Sequence, residues 1–310
     1  EVLKMINIVG RKKIWFTISS AIIIVTLLVA LIFGVELDIE FRGGSLVTYS
    51  FDGDIEKADF QSVIENTLGQ SVSLQEQQDV VTGNVNYVVT LSSKEGVTPE
   101  KQQEITATLQ QEYADQNVQV VSTNNVDPAI GHDFFIKCVV AVAAAALIMI
   151  IYIAFRFRKI GGWSAGVFSV VALIHDVMFV FAVFVFFRIP ISQNFIAVAL
   201  TILGYSINAT VVVYDRIREN KRLMGTKTSL DEMVNKSINQ SLTRSINTTV
   251  STVVALGVVC AIALISHVES ILTFAFPMLI GMISGAYSSI CIAGPIWVTW
   301  QDYKASKKAR

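Results

Sequence analysis

Apolar residues along the chain are grouped into six runs, each long enough to cross a membrane as a helix. Five runs cover about residues 14–33, 134–155, 163–187, 189–214 and 246–266. The sixth, about 271–300, is interrupted by Pro277, Gly281, Gly285 and Pro295. A hydrocarbon core needs roughly 20 apolar residues in a helix. The pattern predicts a polytopic α-helical membrane protein with six transmembrane helices, the first being a retained span and not a cleaved signal peptide.

Between the first two runs, residues 35–130 carry shorter patterns of both strand and helix type. The segment from Val35 to Phe51 alternates as an extended strand, with a bulge or bend at Gly43 and Gly44. A helix over 56–68, strands over 71–80 and 85–91 joined by a turn at 82–84, a helix from Pro99 to about 115 and a strand over 118–122 follow. The order β-α-β-β-α-β predicts an external α+β ferredoxin-like domain.

These patterns divide the chain into three parts: 1–34 with the N-terminus and first span, 35–130 as the external domain, and 131–310 as a five-helix bundle. Within the last part, residues 215–245 have an amphipathic pattern. Ser229 and Glu232 form a capping box, and apolar residues continue along one face. We expect a helix that lies on the membrane surface and acts as a lever or spacer feeding the fifth span.

Composition and charge agree with this topology. Apolar residues make up 53% of the chain, charged residues 16%, and the mean hydropathy is +0.56, unlike a soluble domain. Basic residues collect near 11–13, 156–159, 216–222 and 304–310, whereas 35–130 is rich in acids. The positive-inside rule therefore predicts that both termini and 215–245 are cytoplasmic and that 35–130 lies outside. Because topology explains the basic groups, no nucleic-acid partner is expected.

Ionisable residues inside spans are costly, so each one is a functional candidate. Asp176 in the third span is the first choice, because a carboxylate in a low dielectric can load and release a proton; the alternative is a permanently paired structural residue. His175 should point about 100° away from it and is interpreted as a helix-packing residue. Arg244, at the entry to the fifth span, stays charged and can gate or hold an anion, or snorkel to the interface. The polar residues of the fourth span complete the set: Ser206, Asn208 and Thr210.

The sequence carries no pattern for enzymatic chemistry. There is no histidine before residue 132, no glycine-rich phosphate loop and no cluster with metal-ligand spacing. The three cysteines lie in predicted spans, so no disulfide framework is expected. We therefore expect neither catalysis nor a cofactor.

Five ordered stretches resemble the SecF family, the smaller half of the SecDF protein-export complexes of the RND permease superfamily. They are LDIEFRGG at 37–44, IHD at 174–176, GYSINATVVVYDRIREN at 204–220, RSINTT at 244–249 and SGAYSSICIAGP at 284–295. The resemblance implies a subunit in the bacterial cytoplasmic membrane that pairs with SecD beside the SecYEG channel. It further implies that an ion gradient, with the proton as first candidate, drives late steps of preprotein export. Other partners that the resemblance implies are unfolded preprotein, membrane lipid and a YidC-type insertase.

The resemblance also assigns roles to individual residues. Ion relay or gating falls to Asp176, Ser206, Asn208, Ala209, Thr210 and Arg244. A structural role within the motifs falls to Asp38, Gly43, Gly44, His175, Gly204, Asp215 and Arg216. Family members usually carry an aspartate between the asparagine and threonine of the long motif, where this chain has Ala209, which cannot carry a proton. Either coupling uses a carboxylate of SecD or another ion, or the alanine was introduced by substitution.

Two other functions fit part of the pattern. A half-size RND exporter of lipids or drugs would share the six spans, but the external domain is small for that class. A non-conducting assembly scaffold of the translocase gains support from Ala209. The first residue is Glu1, as in a trimmed chain or a piece of a SecDF fusion.

Overall fold

The fold combines a bundle of long helices with one four-stranded sheet. The computed structural model describes residues 5–78, 85–91, 98–126, 128–225, 228–266 and 268–308. The elements in chain order are α1 (Lys12–Phe33), α2 (Ile39–Arg42), β1 (Gly44–Ser50), α3 (Lys57–Leu68), β2 (Ser73–Gln78), β3 (Val85–Leu91), α4 (Pro99–Glu112), β4 (Gln119–Val126), α5 (Pro128–Arg156), α6 (Gly162–Phe186), α7 (Gln193–Met224), α8 (Leu230–Ile265), α9 (Glu269–Ser288) and α10 (Gly294–Lys308).

The six predicted spans are confirmed. Within the described residues, six helical stretches are long and apolar enough to cross a membrane. They are α1, α5, α6, α7, α8 and the pair α9 and α10, which a π-helical segment, Ser289–Ala293, joins into one stretch. The interruption predicted for the sixth span is therefore a local change of helix type and not a break.

The sheet has the ferredoxin-like arrangement that the sequence predicts. Its strand order is β2-β3-β1-β4 and every neighbouring pair is antiparallel. Helices α3 and α4 pack together over one face of the sheet and bury Phe60, Ile64, Ile105 and Leu109 against the strands. The turn predicted at 82–84 lies outside the described residues.

The extended conformation predicted from Val35 to Phe51 is wrong in its first half. Residues 39–42 form α2, whose first turn is capped by Asp38: its carboxylate accepts a hydrogen bond from Glu40 N at 3.1 Å. Gly43 ends the helix with φ at +79°. An N-cap aspartate marks the start of a helix, and a glycine in the positive-φ region marks its end. The alternating apolar residues hid these signals, because so short a helix shows no periodicity of its own.

Helix α2 connects the sheet to the bundle. Phe41 packs on Phe134 and Phe135 of α5, with ring centroids 5.7 and 5.3 Å apart. Glu40 reaches the first turn of α7, where its carboxylate accepts hydrogen bonds from the backbone N and side-chain amide of Gln193 at 2.9 and 2.7 Å. Burial raises the pKa of Glu40, and that of Asp38 as well. The sheet is thus held directly over the end of α7.

The separate surface helix predicted within 215–245 is also wrong. Helix α7 continues to Met224, and α8 runs without interruption from Leu230 through the fifth span. The predicted cap is present, since Ser229 Oγ accepts from Glu232 N at 3.3 Å. The apolar face of this segment packs against protein: Val234 and Ile238 are fully buried in a core with Tyr214. Protein packing, and not a membrane surface, therefore satisfies the amphipathic pattern.

Candidate functional site

A buried carboxylate lies at the centre of the bundle. Asp176 of α6 is 0% exposed, and three hydroxyl groups donate hydrogen bonds to it. They belong to Ser206 of α7 at 2.6 Å, and to Ser284 and Ser288 of α9, both at 2.7 Å. We call Asp176 and these three residues the serine cluster. It joins three spans through one side chain.

Two glycines allow the serine cluster to form. A Cβ at Gly281 would overlap Ile202 Cδ1, and one at Gly285 would lie 3.1 Å from the Cβ of Ser206. Both positions bring α9 into close contact with α7, as small residues do between membrane helices. Helix α9 then changes to the π-helical segment directly after Ser288, and such segments are frequent at functional sites.

A chain of hydrogen bonds extends from the serine cluster to α1. His175 Nδ1 lies 3.1 Å from Asp176 Oδ1, and its Nε2 lies 3.0 Å from Ser19 Oγ. Ser19 Oγ is in turn 3.1 Å from the hydroxyl of Tyr287, which donates to the Trp15 carbonyl oxygen at 2.9 Å. The first span is thus joined to α6 and α9 by polar contacts.

This chain of contacts gives both ring nitrogens of His175 a polar neighbour. Nδ1 faces the carboxylate of Asp176 and Nε2 faces Ser19 Oγ. The hydroxyl of Tyr287, which lies next to Ser19, donates to a carbonyl oxygen. Buried polar groups that are hydrogen-bonded in this way cost less to place inside a membrane protein than isolated ones.

Because His175 and Asp176 are adjacent on a helix, they are expected to contact different partners, and apart from each other they do: His175 contacts Ser19, and Asp176 contacts the three serines. They also contact each other, which the 100° separation on the helix did not suggest. Adjacent residues of a helix are close at their Cα atoms, so two long side chains can meet despite this angle. The His175 ring packs on Phe179 and Tyr287, and its Nδ1 lies 3.1 Å from Asp176 Oδ1.

A second polar region lies on another side of α7. Arg244 of α8 and Asn208 and Ala209 of α7 line a small cavity of about 60 Å³, whose other lining residues are Tyr205, Val212, Ser245, Thr248 and Thr249. We call it the α7–α8 groove. Arg244 is exposed, and within the described part of the chain it makes no ion pair.

Polar residues continue the α7–α8 groove along both helices. Asn208 is exposed on α7, and an exposed row follows on α8 at the spacing of one helix face: Arg244, Asn247, Thr248 and Ser251. These groups lie on helices that are otherwise apolar enough to cross a membrane. The subunit thus presents a polar stripe on its outer surface.

The structure divides the predicted relay set into two groups. Ser206 belongs to the serine cluster, and Thr210 is buried beside it, where its hydroxyl lies 2.9 Å from Ser289 Oγ. Ala209 lies with Arg244 in the α7–α8 groove. Asp176 does not: its described hydrogen bonds run to His175 and the serines, and none runs to Arg244.

Three motif residues of the fourth span line neither the serine cluster nor the cavity of the α7–α8 groove. Gly204 is exposed on the same face of α7 as Asn208, one turn before it, and has open space where a side chain would stand. Asp215 forms ion pairs with Arg156 at 3.1 Å and Arg218 at 2.5 Å. Arg216 pairs with a glutamate one turn further along α7. The last two residues anchor the end of α7 and have no contact with the serine cluster.

Sequence reasoning missed four members of the buried network: Ser19, Ser284, Tyr287 and Ser288. Three of them stand in the motif SGAYSSICIAGP, whose polar letters inside a span were the available signal. Among the described residues, no group of three or more histidine, cysteine, aspartate or glutamate side chains is placed to hold a metal ion.

Comparisons with known proteins agree with this architecture. A family model described as "Protein export membrane protein SecD/SecF, C-terminal" matches residues 105–303. The protein translocase subunit SecF of Alicyclobacillus acidocaldarius is 34% identical, over 98% of this chain and 96% of its own length. The protein translocase subunit SecDF of Bacillus subtilis is 30% identical, over 96% of this chain and 38% of its own length.

A solved structure shares the fold over nearly the whole chain. The crystal structure of SecDF from Thermus thermophilus, described as a translocon-associated membrane protein, matches with a TM-score of 0.80 and 28% sequence identity. The match covers 96% of this chain and 39% of that one. This chain therefore spans about two-fifths of the SecDF proteins that it matches, and almost the full length of the SecF relative. It belongs to the SecF family of protein translocase subunits.

Proposed function

We propose that this chain is an accessory subunit of the bacterial Sec translocase in the cytoplasmic membrane. It pairs with a SecD-type half along the α7–α8 groove, beside a SecYEG-type channel, and couples an ion gradient to late steps of preprotein export. Membership of the SecF family supports the role in export. The match to about two-fifths of longer SecDF chains supports pairing with a second half.

One observation carries the pairing: the polar stripe that surrounds Arg244. A guanidinium that faces hydrocarbon is costly, and membrane proteins place such groups against a partner or a wet cavity. Within the described residues the groove supplies hydroxyl and amide groups but no carboxylate opposite Arg244. A second set of spans would cover the stripe and provide the missing charge.

The proposed coupling follows from the residue at 209. Ala209 cannot carry a proton, so the carboxylate that titrates against Arg244 comes from the SecD-type half. The ion path then runs between the two halves along the α7–α8 groove. The serine cluster lies behind it, on the inward face of α7, and its hydrogen bonds, with those of His175, join α7 to α1, α6 and α9.

Placing a carboxylate in the groove tests this coupling. In vesicles that contain the SecD-type half, Ala209→Asp should raise proton flux and secretion of a model preprotein, because the new acid lies beside Arg244. Adding Arg244→Gln to this variant should remove the gain. Ala261→Asp is the control, because this exposed alanine lies outside the groove, about 100° around α8 from Arg244; it should leave both quantities unchanged.

The opposite result has a clear signature. If Ala209→Asp expresses normally and leaves proton flux and secretion unchanged, position 209 has no part in coupling. If it only lowers stability, by about the 2.5–3.5 kcal/mol expected for an acid at the middle of a membrane helix, the groove does not solvate the acid. Either outcome favours the non-conducting scaffold, the alternative that Ala209 itself suggests.

We also propose the orientation in the membrane. Basic residues such as Arg158, Lys159 and Arg216 lie at the end of the bundle opposite the sheet, so this end faces the cytoplasm and the sheet lies outside. In a chain without its native cysteines, Gln119→Cys on β4 should react with a membrane-impermeant maleimide added to the outside of intact cells. Labelling of this cysteine only after the membrane is permeabilised would show that the sheet lies on the cytoplasmic side and contradict the proposed orientation.

A further inference from the structure

A second surface of the molecule has features of a binding site and is independent of the α7–α8 groove. A cleft of about 890 Å³ opens between the end of α5, the first turns of α6 and the side of α10. It lies at the basic end of the bundle. We call it the basic cleft; its cationic residues are Arg158, Lys221 and Lys304, and its apolar and aromatic residues include Phe155, Trp163, Val167, Phe168 and Trp300.

The apolar wall of the basic cleft is open on the outer side of the bundle. Phe155 is 73% exposed, Trp163 68%, Val167 45% and Trp300 44%. These side chains stand on helices that cross the membrane, at the ends where the charged residues begin. Tryptophan at this depth is typical of the boundary between hydrocarbon and headgroups. The wall therefore faces lipid acyl chains near their headgroup end.

The rim of the basic cleft carries charge of one sign. Arg158, Lys221 and Lys304 come from three different segments, and none of the residues that line the cleft is acidic. Lys221 Nζ donates a hydrogen bond to the Lys159 carbonyl oxygen at 3.0 Å. Across the described ranges none of the three cations pairs with a carboxylate. Their charge is available to a ligand.

The floor of the basic cleft adds hydrogen-bond donors. Helix α6 begins there with Gly161 as N-cap, and no side chain caps its first turn. Backbone N–H groups at the start of a long helix favour an anion. Gln301 holds the floor in place by donating to Ser164 Oγ at 3.0 Å.

We propose that the basic cleft binds an anionic phospholipid. Its phosphate would lie between Arg158, Lys221 and Lys304, near the first turn of α6, while an acyl chain follows Phe155 and Val167. A basic pocket between membrane helices next to an apolar wall is the arrangement that recognises such headgroups. A soluble phosphate would use the cations but leave the apolar wall without a role, and an acidic peptide would have to displace lipid from it.

Quenching of tryptophan fluorescence by brominated lipid tests this proposal directly. Trp163 and Trp300 are two of the four tryptophans in the chain. In nanodiscs of phosphatidylcholine, brominated phosphatidylglycerol should quench the tryptophan fluorescence of the unaltered protein at a lower mole fraction than brominated phosphatidylcholine does. Arg158→Gln/Lys221→Gln/Lys304→Gln should remove this preference, since each cation near a membrane surface contributes about fivefold in affinity for an anionic lipid.

The matched control removes the same number of charges elsewhere on the basic end. Arg11→Gln/Lys13→Gln/Lys236→Gln should keep the preference; an equal loss in this variant would show a general surface effect and overturn the site. Equal quenching by both lipids in the unaltered protein would overturn it too. So would loss of the preference when inorganic phosphate is added, because the ligand would then be a soluble anion. If the triple variant misfolds, Lys304→Gln alone should reduce the preference about fivefold.

Discussion

Two sides of α7 face two different charged groups. The side with Ser206 faces the carboxylate of Asp176, which has four polar contacts. The side with Asn208 and Ala209 faces the guanidinium of Arg244, which has no ion pair in the described residues. Both charged groups stand on helices that cross the membrane. Asp176 is fully buried and Arg244 is exposed. Among the described residues, the same helix thus separates a carboxylate with a full set of hydrogen-bond partners from a guanidinium without a carboxylate partner.

This difference separates a region whose polar groups are satisfied among the described residues from the region where we propose a partner. Asp176 accepts hydrogen bonds from three serines and lies next to His175 Nδ1, so its carboxylate is satisfied by described residues of this chain. Arg244 cannot lose its charge. A guanidinium on an otherwise apolar surface is stable only when another chain, or water, supplies what its own chain lacks.

The largest expected loss of stability is at the serine cluster. Asp176→Ala leaves three serine hydroxyls and His175 without their acceptor, so the free energy of unfolding in detergent or bicelles should fall by about 3–5 kcal/mol, as for a broken buried pair. Asp215→Asn removes an exposed carboxylate at the end of the same bundle and should cost below about 1 kcal/mol. Equal losses for the two variants would mean that the serine cluster contributes nothing special.

A smaller effect is expected from the helix contact that builds the network. Gly281→Ala places a methyl group against Ile202 and should separate α9 from α7, at a cost of about 1–3 kcal/mol in unfolding free energy. Gly204→Ala, on the exposed side of α7, meets no neighbouring atom and should be neutral or stabilising by up to about 1 kcal/mol through helix propensity. Tolerance of alanine at both positions would contradict the close contact.

Much of this architecture could be predicted from the sequence, because it depends on patterns that are local. The lengths of the apolar runs predicted the transmembrane helices. Alternating apolar residues predicted strands β1 and β3, because side chains on one face of a strand repeat every second residue. Helix α2 was missed because Ile39 and Phe41 alternate like a strand, although Asp38 and Gly43 carry the capping signals.

The serine cluster could be predicted only in part, because its partners come together through tertiary packing. Asp176 was identified from its charge alone. Ser284 and Ser288 were not, since serine is common in membrane helices and nothing local shows which serine faces α6. The division of Ser206 from Asn208 depends on how α7 is rotated against α9, and Gly281 and Gly285 set that rotation only once both helices are in place.

The central claim is that the α7–α8 groove is completed by a second, SecD-type half. Gly204→Leu tests it most directly, because this position is exposed on the proposed contact face and has open space around it in the subunit alone. Gly257→Leu is the matched control: it also meets no neighbouring atom, but it lies on the side of α8 opposite Arg244. The measurement is the fraction of SecD that co-purifies with each variant from membranes. The account predicts a large loss for Gly204→Leu, near-normal recovery for Gly257→Leu, and equal thermal stability of the two isolated subunits. Full recovery of SecD with Gly204→Leu would contradict it.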